Sequence, residues 1–153
     1  MKAIIDFAAR FGAKLSLNPD LMVKKEGRYF LLTRLLRRFI LEDFYYAGAY
    51  LGKTKAGKFF PSFNLLRKMG ENKANSVVVD RKASWLFICG RDIFHEGIKS
   101  VHGSRRKGDI TLVMNDFGEC LGFGRILQDL SSKGTCIAVK NISDIGDFLR
   151  RER

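Results

Sequence analysis

Ala47-Gly-Ala-Tyr-Leu-Gly52-Lys53-Thr54 carries glycine, lysine and threonine at the spacing of a relaxed phosphate loop, with alanine in place of the first glycine. Such a loop holds phosphates on its backbone amides only where the chain runs straight into a helix. Here Lys55-Ala-Gly-Lys58 and Phe59-Phe-Pro61 follow, which is turn and strand chemistry. No apolar strand ending in aspartate makes a convincing magnesium partner. A nucleotide-dependent enzyme using Lys53 and Thr54 is therefore the remote alternative. Lys53, Lys55 and Lys58 instead read as phosphate contacts at a hairpin tip.

Other chemistry-bearing residues lack the partners that their chemistry requires. His95 and His102, with Cys89 nearby, have no paired carboxylate or thiolate at ligand spacing, so no metal site is expected. Gly122-Phe-Gly124 is half of a dinucleotide fingerprint, without its third glycine and without a βαβ unit around it. Asp92 and Glu96 stand four apart, as acids do on the solvent face of a helix start. No serine sits in a nucleophile elbow and no Ser-His-Asp set is suggested. Catalysis has no visible carrier, so no enzyme activity and no cofactor is expected.

Charge is the strongest compositional signal. The 153 residues hold 28 Lys and Arg against 16 Asp and Glu, a net charge of +12. A surplus of that size in a small protein points to a polyanion, most often nucleic acid. Up to Ser76 there are 15 basic and 6 acidic residues, net +9, whereas the remainder has 13 and 10, net +3. The attraction thus comes mainly from the N-terminal half. Lys and Arg interleave with aromatics at Lys58-Phe-Phe and through Phe39-Ile-Leu-Glu-Asp-Phe-Tyr-Tyr, a pattern that permits base stacking, although Phe39, Phe44, Tyr46 and Phe59 are each read as core. Further basic runs stand at Arg105-Arg-Lys107 and Arg150-Arg-Glu-Arg153.

These residues need elements to position them. A hydrophobic content of 46% with two prolines implies a folded globular chain long enough to bury a core. No apolar run is long enough to span a membrane and no signal-peptide core is seen, so a soluble, intracellular protein is expected. Cys89, Cys120 and Cys136, without CxxC spacing, read as small buried hydrophobes in a reducing compartment. Ile4, Ala8, Phe11 and Leu15 predict an amphipathic helix failing near Gly12 and Pro19. Residues 21–32 predict a hairpin turning at Glu26-Gly27, and Thr33 caps a short helix that puts Arg34, Arg37 and Arg38 on one face. Two strands, from Phe44 to Gly52 and from Lys58 to Phe63, flank a loop of Lys53 to Gly57, with a brief helix from Leu65 to Met69.

The polar stretch from Gly70 to Ser76 marks a boundary between domains 1–76 and 77–153. Beyond it the reading is of short strands at Val77-Val-Val and Trp85-Leu-Phe-Ile-Cys, a short helix from Arg91 to Glu96, and a last strand from Thr135. The clearest unit is Gly108 to Ile126, two strands around Asn115-Asp-Phe-Gly118. Gly122 and Gly124 within its second strand mark a bulge, a barrel corner or a place where another backbone, a ligand's among the candidates, comes close. Many short strands with close turns predict a small barrel.

Ala83-Ser-Trp-Leu-Phe-Ile-Cys-Gly-Arg-Asp-Ile-Phe-His-Glu-Gly-Ile98, with Lys107-Gly-Asp-Ile-Thr-Leu-Val and Gly118-Glu-Cys-Leu-Gly-Phe-Gly-Arg-Ile, resembles the PUA domain. The ending Ile137-Ala-Val-Lys-Asn-Ile-Ser-Asp-Ile-Gly-Asp-Phe-Leu-Arg-Arg-Glu152 is similar to that of the Nip-seven family of ribosome-biogenesis factors, and Leu51-Gly-Lys-Thr-Lys-Ala-Gly-Lys-Phe-Phe60 resembles its first-domain hairpin. The resemblance implies an α+β chain, with an N-terminal antiparallel sheet flanked by helices and a C-terminal PUA pseudo-β-barrel that binds RNA. It implies RNA contacts from Arg91, Lys99, Arg125, Lys140, Arg150 and Arg151. It further implies a monomer assisting large-subunit maturation with ribosomal RNA and assembly proteins as partners, in the cytoplasm or, where the cell has a nucleus, the nucleolus. The alternative is a PUA accessory factor for RNA modification or translation initiation.

Overall fold

A computed structural model describes residues 1–40, 44–132 and 134–151, without the side chains of Phe148, Leu149 and Arg151. Glu152 and Arg153 of the terminal basic run, and Leu41 to Asp43 of the aromatic-basic stretch, lie outside the described residues.

The N-terminal part follows its sequence signals closely. Helix α1 (Lys2–Ala9) buries Ile4, Phe7 and Ala8 on one face, and the chain leaves the helical path at Gly12, whose φ of 67° suits glycine. Leu15 therefore lies beyond the helix, yet it packs on the same core. Strands β1 (Met22–Lys25) and β2 (Arg28–Leu31) turn at Glu26 and Gly27, both at positive φ, as a two-residue hairpin turn requires. Thr33 caps α2 (Arg34–Phe39), its Oγ1 accepting from the Leu36 amide at 3.1 Å. Ser62 caps α3 (Phe63–Glu71) in the same way.

The second hairpin is tighter than the sequence implied. Strand β3 (Ala49–Lys55) runs through Lys53, Thr54 and Lys55, and β4 (Lys58–Pro61) begins after only Ala56 and Gly57. Those two residues accept the positive φ angles of the turn, so the register Lys55↔Lys58 extends to the very tip. The expected five-residue loop is not formed. Residues 44–48 precede the strand rather than belonging to it. The strands form one antiparallel sheet in the order β1-β2-β3-β4.

The second sheet is mixed and strongly curled. Its strands are β5 (Ser76–Val79), β6 (Ile93–Phe94), β7 (Ile98–His102), β8 (Ile110–Met114), β9 (Cys120–Ile126) and β10 (Ile137–Asp144), in the order β6-β10-β9-β8-β5-β7. Only β5 and β8 are parallel among the described pairs, and register shifts in four of the pairings bend the sheet into a half-barrel. Trp85 to Ile88, expected as a strand, instead close the helix α4 (Arg81–Ile88). Asp80 decides this: its Oδ1 accepts from the Ala83 amide at 2.7 Å and starts a helix that the β-favouring side chains then continue. The helix expected from Arg91 to Glu96 is absent, and that stretch forms β6 and a single 3₁₀ turn. Helix α5 (Ile145–Arg151) follows β10 directly.

Two corrections concern the residues most prominent in the sequence. A Cβ on Gly122 would sit 2.1 Å from the carbonyl oxygen of Ser143, and one on Gly124 would sit 2.4 Å from that of Lys140. The backbone that the glycines admit is β10, not a ligand. Cys89 and Cys136 are exposed, leaving only Cys120 part-buried. Burial pushes its thiol up to about 11.

Phe123 of β9 joins the two sheets, its ring standing 5.8 Å from that of Phe7 and 5.5 Å from that of Phe11. One core therefore runs from α1 and α3 to Ile110, Leu112 and Phe123. A second fills the half-barrel around Val77, Phe87, Ile126 and Val139. A third, around Phe30, Leu32 and Ala47, covers part of the far face of the four-stranded sheet.

Candidate nucleic-acid interface

Strands β9 and β10 place Arg125 directly opposite Lys140, and both side chains are exposed. Neither has an ion-pair partner among the described residues. Like charges opposite one another on a sheet repel, so this pair costs stability unless an anion bridges it. A phosphate group is an anion of the size and charge to bridge it.

The Arg105-Arg106-Lys107 loop is fastened to the end of the same strand. The Gly108 amide donates to the Ile126 carbonyl at 2.7 Å, Ile126 donates to Asp109 at 2.9 Å, and Leu130 donates to Arg105 at 2.9 Å. Ser104 Oγ donates to Asp109, and Arg106 Nε lies 3.7 Å from the same carboxylate. Asp109 therefore braces the loop. Arg91 enters from the other side, where the Asn141 amide nitrogen donates to its carbonyl at 3.4 Å and the Asn141 backbone donates to Asp92 at 2.8 Å. The curled sheet thus brings Arg91, Arg125, Lys140 and the 105–107 loop around one end of β9 and β10.

Other expected contacts fall elsewhere. Lys99, on the edge strand β7, is exposed but paired with Asp116 at 2.7 Å. Arg150 donates to the Ile88 carbonyl at 2.5 Å and to both Asp144 oxygens at 3.1 and 3.0 Å. Its guanidinium ties α4, β10 and α5 together. Arg151 lies in α5. Lys53, Lys55 and Lys58 belong to the four-stranded sheet, with Lys53 opposite Arg28 and Lys55 opposite Lys58. Because Lys53 and Thr54 lie within a strand, the amide cradle of a phosphate loop is not built. Among the described residues no three His, Cys, Asp or Glu side chains could hold a metal ion, and no helix is long and apolar enough to cross a membrane.

Several exposed aromatics escaped the sequence reading. Trp85 is 67% exposed on α4, beside the basic residues Arg81 and Lys82, and Phe94 stands exposed on β6. Phe39 and Tyr46, read as core, are 73% and 59% exposed. The Asp80 cap was the local signal that could have placed Trp85 on a helix.

A curled six-stranded sheet with α4 between its first two strands in sequence is the architecture of a PUA domain. The chain belongs to the UPF0113 PUA domain family, whose model matches residues 75–153. Over 116 residues it is 29% identical to a UPF0113 protein of Archaeoglobus fulgidus, a match spanning 71% of this chain and 64% of that one. A stretch of 80 residues is 31% identical to glutamate 5-kinase of Aquifex aeolicus, covering 48% of this chain and 22% of the enzyme. Among solved structures, a conserved PUA domain protein from Thermoplasma acidophilum superposes with a TM-score of 0.62 at 25% identity, covering 99% of this chain and 92% of that one. A PUA domain from Aeropyrum pernix shares the fold with a TM-score of 0.52 at 23% identity, over 61% of this chain and 55% of that one.

Proposed function

We propose that this protein binds RNA without catalysing a reaction, and assists maturation of the large ribosomal subunit together with assembly proteins. The observation that carries the RNA reading is the unpaired Arg125–Lys140 couple on the PUA sheet, with the 105–107 loop fastened beside it. Phosphate contacts of this kind position a nucleic acid without reading its sequence. The ribosomal assignment is supported by the likeness of residues 137–152 and 51–60 to the Nip-seven family. Such work puts the protein, as a monomer, in the cytoplasm or nucleolus.

The test replaces both cations by neutral isosteres, Arg125→Gln with Lys140→Gln. Fluorescence anisotropy with a labelled single-stranded fragment of ribosomal RNA should show weaker binding and a log–log salt slope flatter by roughly 1.4, about 0.7 for each lost phosphate contact. Thermal melting should be unchanged or higher, because a repulsion has been removed. Unchanged affinity and slope would sink the proposal.

A further inference from the structure

The far face of the four-stranded sheet has a closed half and an open half. On the closed half Phe30, Tyr50 and Phe44 pack with Val23, Leu36 and Ile40 under α2 and residues 44–48. On the open half the register sets Lys25, Arg28, Lys53 and Phe60 in one row across β1 to β4. Lys55 and Lys58 stand opposite one another at its end. Phe59, the neighbour of Phe60, points the other way and packs in the main core against Tyr29 and Phe7. Alternation along β4 therefore forces Phe60 onto the lysine-bearing face, where it is 45% exposed. At the other side of the row the Arg28 guanidinium lies 5.1 Å from the ring centre of Tyr45, which is 81% exposed. A shallow groove of about 210 Å³ opens there, lined by Lys25, Glu26, Arg28, Phe44 and Tyr45.

We infer that this open half-face is a stacking platform for single-stranded RNA, seating one base on Phe60 and another on Tyr45, with phosphates held by Lys53, Lys55 and Lys58, while Arg28 pairs with Glu26 at 3.7 Å. The inference rests on the RNA reading above and extends it to a second surface. Three features converge on it. Aromatic rings on an open sheet offer π-faces that any base can cover, and lysines beside them track the backbone. The core of a protein interface is depleted in lysine, which argues against a protein occupant for a row this basic. Paired bases are stacked inside a duplex and cannot reach an aromatic ring on a flat sheet, so the platform selects single strands.

The experiment titrates the full chain with fluorescein-labelled decauridine and with an RNA duplex of equal length. Phe60→Ala should weaken decauridine binding at least about fivefold, the lower end expected for one stacked base. Phe60→Trp should restore it, duplex affinity should not change, and the melting temperature should stay at the wild-type value because the ring is outside the core. Tyr45→Ala should act in the same direction, and each loss should add to that of the Arg125→Gln, Lys140→Gln variant. If the latter variant loses affinity while Phe60→Ala and Tyr45→Ala do not, the platform is overturned and the RNA reading stands. If the wild-type protein binds neither RNA, both fall. If Phe60→Ala spares RNA binding but abolishes association with a ribosome-assembly protein, the face is a protein-docking surface and the platform is again overturned.

Discussion

Arg150 illustrates how a residue chosen for its charge can be spent on architecture. Asp144, its partner, is 4% exposed and also accepts from Asn141 Nδ2 at 3.1 Å and from the Asp147 amide at 2.8 Å. Gly90 and Gly146 make room for this arrangement, since a Cβ on Gly146 would strike the Ile88 carbonyl at 2.0 Å. Removing the guanidinium would leave a buried carboxylate with two weaker donors and the end of α4 without one of its carbonyl partners. Because the arginine itself is 45% exposed, the penalty should fall below that of a fully buried pair. Arg150→Ala should therefore cost about 1–3 kcal/mol in urea denaturation. An unchanged denaturation midpoint would show that the contact is not structural. A charge reversal at this site would conflate lost folding with lost RNA binding, whereas Arg125 and Lys140, exposed and unpaired, separate the two.

Helix α4 shows what was legible in the chain and what was not. Both N-terminal hairpin and cap signals were local: Glu26-Gly27 chose its turn and Thr33 its cap within three residues. Trp85-Leu-Phe-Ile is ambiguous because its β-favouring side chains are placed by an event five residues earlier, the bond from the Ala83 amide to Asp80. Asp80→Ala should lower stability by about 1 kcal/mol, the usual loss of an N-cap, and reduce amide protection over residues 81–88 in hydrogen exchange. Protection unchanged across the helix would mean that packing of Phe87 alone holds it. The candidate site was legible as residue types only. Arg125 and Lys140 could be chosen from a resemblance, but the two residues lie fifteen apart in sequence and their pairing depends on the register of β9 with β10, which shifts just beyond them between Asn141 and Ser143. The two glycines were visible as a close approach, while the identity of the approaching strand was not.

The two sheets differ in charge and share a core, and the consequence concerns how the whole chain meets a polyanion. Asn75 stitches the seam: its amide donates to Phe11 at 2.7 Å, its carbonyl accepts from Leu112 at 2.8 Å, and its side chain accepts from Ser104 at 3.0 Å. Phe123 then packs edge-on against both Phe7 and Phe11, whose rings also touch each other. A joint of this kind holds the +9 of the N-terminal half in a fixed relation to the Arg125–Lys140 couple, so the two present one charged surface to a polyanion rather than two independently tumbling modules. Its energetic signature is cooperativity. Phe123→Ala removes a buried ring from the joint and should destabilise the chain by about 3–5 kcal/mol. Because the lost contacts belong to both sheets, protection should fall together in β3 and in β8, and wild-type unfolding in urea should be a single transition by fluorescence and by circular dichroism. Two separated transitions, with Phe123→Ala moving only one of them, would instead mean that the halves fold independently and that the seam does not hold their charged surfaces in one frame.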